Sequence, residues 1–74
     1  MTTIIFDIIC EKDGVLSKIT YDLQNGYYYR KCIIDKLKET NQKNIVCMTY
    51  HFPNTPSIIV PIKKYIIQNI NDNL

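Results

Sequence analysis

The sequence has no alanine and no tryptophan, one histidine, one arginine and two glycines in 74 residues. Each scarcity excludes something. Gly14 and Gly26 both have turn contexts, so no glycine-rich phosphate loop can be built. With His51 the lone histidine, any His-dependent acid–base or nucleophilic mechanism has to pass through it. A single Arg among nine basic residues is a poor basis for reading phosphates or bases, which lean on the guanidinium fork. The carboxylates Asp7, Glu11, Asp13, Asp22, Asp35, Glu39 and Asp72 are scattered singly, without the spacing of a calcium loop. Three cysteines, Cys10, Cys32 and Cys47, are an odd number without C-x-x-C spacing, which argues for reduced, buried thiols rather than a disulfide scaffold. There is also no long apolar run. "TIIFDII" is broken by Asp7 and ended by Glu11, with no basic segment before it, so neither a signal peptide nor a membrane span is expected. The expected location is the cytoplasm.

What is there is Ile, Lys, Asn and Tyr, nearly half of the chain. That bias suggests an AT-rich coding genome, as in a low-GC bacterium, a phage, a large DNA virus or a protist. The length implies one small domain, and a chain this short buries only about 60% of the surface its unfolded form exposes. A deep catalytic cleft is hard to build on that, so a non-enzymatic role without cofactors is expected.

Asp13-Gly14, between "TIIFDII" and "VLSKITY", is a strong two-residue hairpin signal, because a type I′ turn needs positive φ at both positions. Ile4, Phe6, Ile8 and Cys10 would line one face of the first strand, and Val15, Ile19 and Tyr21 one face of its partner. Ile5 and Ile9 make the first strand's other face apolar as well, around Asp7. After the loop "QNG", Tyr29, Ile33 and Leu37 recur at helical spacing within "YYYRKCIIDKLKET". "NIVCMTYHF" reads as a third strand and "PNTP" as a second turn.

The segment "SIIVPIKKYIIQNINDNL" can be read two ways. A single helix from Thr55 would hold Pro61 in its interior at a cost of about 3 kcal/mol. A short strand Ser57–Val60 followed by a helix from about Pro61 to Asp72 avoids that cost, with Ile62, Ile66 and Ile70 as the helix stripe. The expected fold is therefore α+β in the order ββαββα: a four-stranded, mainly antiparallel sheet with two helices on one face. "YRKCIIDKL" and "IKKYIIQNI" share a pattern of residue types, which suggests a pseudo-repeat of 1–40 and 44–74.

Two contact surfaces can be read from these elements. Two helices cover only one sheet face, so Ile5, Asp7, Ile9, Leu16, Val46 and Met48 are candidates for an exposed apolar face that binds another protein, either a host target or a second copy. Asp7, alone among isoleucines, would meet a basic group or an amide of that partner. The second surface is the segment Tyr27 to Lys38. Residues 27 to 43 carry five basic and two acidic side chains, a net of +3, while the rest of the chain nets −1. Arg30, Lys31 and Lys38 could contact phosphates there while Tyr27, Tyr28 and Tyr29 stack on bases. The whole-chain net charge of +2 falls short of the usual nucleic-acid footprint, which favours the protein-binding reading. A small docking protein of this kind fits a phage or viral product that inhibits a host protein by occupying its surface. Cys10, Cys32, Cys47 and His51 could in principle form a Cys3His zinc site, but their spacings of 21, 14 and 3 intervening residues match no finger or knuckle. No metal is expected, and His51 reads as a solvated strand-end residue.

With the C-terminal segment taken as a single helix, "DIICEKDGVLSKITYDL", "YYYRKCIIDKLKET" and "NIVCMTYHFPNTPSIIVPIKKYII" together resemble the front half of a BTB/POZ or elongin-C-like domain. That resemblance implies a ubiquitin-ligase adaptor that binds a cullin.

Overall fold

The two-residue turn forms as its composition requires. In a computed structural model describing residues 3–24 and 28–74, Asp13 has φ 53° and Gly14 φ 79°, the pair of left-handed conformations that closes a type I′ hairpin. It joins β1 (Ile4–Lys12) to β2 (Val15–Leu23) in an antiparallel ladder of nine residue pairs without a register shift. The chain continues through α1 (Tyr29–Glu39), β3 (Ile45–Phe52), β4 (Thr55–Pro61) and α2 (Lys64–Asp72). The sheet order is β2-β1-β3-β4 and every pairing is antiparallel. In both ββα units the first strand is central and the second lies at an edge.

Period-two alternation decides what β1 buries. Phe6, Ile8 and Cys10 enter a core that also holds Ile33 and Leu37 of α1 and Ile70 of α2, so both helices pack on the same face of the sheet. Leu23, Ile45 and Met48 complete it. The Cα radius of gyration, 11.9 Å, is what one compact domain of this length has.

Three expectations need correcting. Met48 belongs to the core and not to the uncovered face: it is 1% exposed and sits opposite Ile8. The reason is a β-bulge. Ile9 pairs with Cys47 while Cys10 pairs with Ile45, so Val46 is an extra residue that reverses the alternation of β3. Val46 and Cys47 are both exposed as a result, and Cys47 is not the buried thiol its apolar neighbours suggested. Pro61, finally, does not open α2. It ends β4, an edge strand, where a missing N–H is tolerated, and the helix starts at Lys64 after Lys63 in an extended conformation. The single C-terminal helix on which the BTB/POZ resemblance rested is absent.

A long-range amide closes the second ββα unit on itself. Ile45 N–H donates to Asn71 Oδ1 (2.8 Å), and Asn71 Nδ2 donates back to the Ile45 carbonyl (3.0 Å). This clamp fixes the end of α2 to the start of β3, next to the bulge.

Candidate functional site

The face of the sheet turned away from the helices is a grid whose contents follow from register. Ile5, Asp7 and Ile9 of β1 run down its middle. On the β2 side they meet Asp22, Thr20 and Lys18; on the β3 side they meet His51, Thr49 and Cys47. Leu16, opposite Glu11, and Val46, at the bulge, extend the apolar part at one end and are 63% and 51% exposed. Of the six residues read from the sequence as a partner-binding set, five lie outside the core on this uncovered side, and Met48 does not.

Asp7 occupies the centre and is not alone. Thr20 Oγ1 donates to Asp7 Oδ1 at 2.9 Å, and Lys18 Nζ lies 3.9 Å from the same oxygen. His51 Nδ1 lies 3.6 Å from Asp7 Oδ2, just beyond hydrogen-bond length. The His51 side chain is only 17% exposed, and its Nδ1 is buried without a hydrogen-bond partner among the described residues. His51 is therefore no solvated strand-end residue; it leans inward on the carboxylate. Composition could not show this, because it depends on the β1–β3 register.

Charge divides between the two sides of the molecule. The uncovered face carries Asp7, Glu11 and Asp22 against Lys18, while the helices and the α2 N-cap carry Arg30, Lys31, Lys36, Lys38, Lys63 and Lys64 against Asp35, Glu39 and Asp72. The sheet face is thus acidic on a chain that is basic as a whole. Arg30, Lys31 and Lys38 are exposed along α1, and the Arg30 guanidinium lies 6.0 Å from the centre of the Tyr29 ring. Tyr27 lies outside the described residues.

A concavity of about 430 Å³ opens on the helix side, lined by Tyr29 of α1, Tyr65 of α2 and the sheet residues Phe6, Tyr50 and Phe52 among others. Phe6 stacks on Tyr29 with ring centres 5.3 Å apart. Among the described residues lining it, Lys63 carries the one charge. No group of three His, Cys, Asp or Glu side chains among the described residues is placed to hold a metal ion. Cys10 and Cys47 lie on opposite faces of the sheet, so the Cys3His set is not brought together. Burial raises the pKa of the Cys10 thiol, which keeps it protonated and unreactive. No described helix is long and apolar enough to cross a membrane.

Compared with protein-family models, curated proteins and solved structures, the chain matches none.

Proposed function

We propose that this is a non-enzymatic protein-binding module that engages its partner through the helix-free face of the sheet. The observation that carries this reading is the combination, on one uncovered surface, of exposed Leu16, Val46 and Cys47, half-buried Ile5 and Ile9, and an acidic centre at Asp7. Apolar surface of this kind, left open with charge set into it, marks interfaces. The excess of carboxylates commits the partner's chemistry: an apolar protein surface bearing lysine or arginine. A second copy docking face to face would bring two acidic surfaces together, so the partner on this face is a different protein. Occupying such a surface is sufficient to inhibit the protein that owns it, and an inhibitor acting in the cytoplasm is the role that fits the domain's size.

A second reading, nucleic-acid binding, draws on Arg30, Lys31 and Lys38, which are exposed together on α1 beside Tyr29. Salt separates the two, since phosphate-driven binding weakens steeply as salt rises.

The test is selection of peptides from a random library on the immobilised domain. Apolar sequences carrying Lys or Arg should be enriched, and Ile5→Lys should remove their binding while the double variant Arg30→Glu, Lys31→Glu retains it. Enrichment of acidic sequences, or loss of binding in the helix variant alone, would overturn the reading.

A further inference from the structure

We infer that two copies of this chain pair through the free edge of β2, in one antiparallel register with Thr20 on the two-fold axis. This goes beyond the face-binding reading and does not depend on it.

The two edges of the sheet differ. β4 is guarded by Pro56 and Pro61, which lack N–H donors, and by a register shift in its pairing with β3. β2 has nine residues with no proline, glycine or bulge, and no other described strand pairs with its outer side. A long regular edge of that kind is a template for another strand.

Backbone geometry limits the possible registers. A two-residue turn makes Lys12 and Val15 a hydrogen-bonded pair, and bonding then alternates along the ladder, so Ser17, Ile19 and Tyr21 spend their backbone groups on β1. The backbone groups of Leu16, Lys18, Thr20 and Asp22 point outward. The β1 side agrees: Glu11, opposite Leu16, turns its N–H away from β2 and donates it to the Asn44 carbonyl at 3.0 Å. An antiparallel partner must therefore oppose these four residues with its own.

Side chains choose among the registers that remain. With Thr20 facing Thr20 of the second copy, Lys18 faces Asp22 twice and Ile19 faces Tyr21 twice. Opposite charges, an aromatic with a β-branched residue, and Thr with Thr are the cross-strand pairs that stabilise sheets. Sliding one copy by two residues moves Lys18 and Asp22 off each other onto Thr20 and Leu16, and sliding it by four brings Lys18 onto Lys18 or Asp22 onto Asp22. "KITYD" is thus self-complementary about its central threonine. Lys18 is free to turn toward the second copy, because its side chain is 64% exposed and its contact with Asp7 is long. About six inter-chain backbone hydrogen bonds would form, and the two sheets would join into one of eight strands.

Charge swapping with sedimentation or light-scattering mass measurement tests this. The wild type should run at about twice its 8.7 kDa mass. Lys18→Asp and Asp22→Lys should each weaken dimerisation by about tenfold or more, because two attractive pairs become repulsive. The double variant should recover it, and an equimolar mixture of the two single variants should form a heterodimer, since each then supplies the charge the other lacks. Thr20→Cys in a Cys47→Ser background, under oxidation, gives a check independent of charge: a disulfide-linked dimer that Cys47→Ser alone does not form. A wild type that stays monomeric at high micromolar concentration, or a dimer indifferent to both single variants, would overturn the inference.

Discussion

His51 Nδ1 stands 3.6 Å from Asp7 Oδ2, buried and without a hydrogen-bond partner among the described residues, on a sheet face that neither α1 nor α2 covers. An imidazole nitrogen so placed costs stability, because desolvation is not repaid by a bond of proper length. Replacing His51 with Leu should therefore leave stability unchanged or raise it by up to about 1 kcal/mol. Urea unfolding measures this; a loss above that size would mean that the imidazole is held for the fold.

The Asn71 clamp predicts a large cost for a small change at the end of a helix. Asn71→Ala leaves the Ile45 N–H and carbonyl without their side-chain partners and should destabilise by roughly 1 to 3 kcal/mol. Asn71→Asp keeps the acceptor but loses the donor, and should fall between Ala and wild type in the same measurement.

Met48 and Val46 provide a matched pair. Met48→Ala should cost about 2 to 5 kcal/mol, as for other buried side chains, whereas Val46→Ala at the exposed bulge should cost within about 0.5 kcal/mol. Equal costs would mean that the bulge is misplaced.

These two residues also show what the sequence could and could not reveal. Local features were legible: Asp13-Gly14 as a turn, Ile33 and Leu37 as the buried stripe of α1, and Phe6, Ile8 and Cys10 as the inner face of β1 each depend on neighbours a few residues away. Strict alternation put Val46 and Met48 on one face, and only the long-range pairing of β1 with β3 reveals the extra residue that separates them. The same pairing brings His51 beside Asp7, and the packing of α2 brings Asn71 to Ile45. Pro61 is legible as unfit for a helix interior, but not as the end of β4 rather than the first turn of α2, because that place depends on β4 lying at an edge.

Cysteine chemistry should separate the two sheet faces. Under native conditions Cys47 should react with a thiol reagent within minutes, while Cys10, buried and with its pKa raised by desolvation, should react only on unfolding. Peptide mass mapping of the alkylated protein gives the order of labelling. A bulky label at Cys47 should also weaken partner binding, because it lies beside Ile9.

The hairpin turn should be structural only. Nothing lies within 4 Å of a Cβ built on Gly14, so Gly14→Val meets no clash and pays only for its positive φ, roughly 1 to 3 kcal/mol. Binding of the selected peptides should survive in the folded fraction.

The central claim is that binding belongs to the helix-free face, and amide chemical-shift mapping tests it most directly. On titration with the strongest basic, apolar peptide from the selection, the largest perturbations should centre on Ile5, Asp7, Ile9, Cys47 and Thr49. Perturbations centred on Arg30, Lys31 and Lys38, or around Tyr29 and Tyr65 at the aromatic groove, would contradict it.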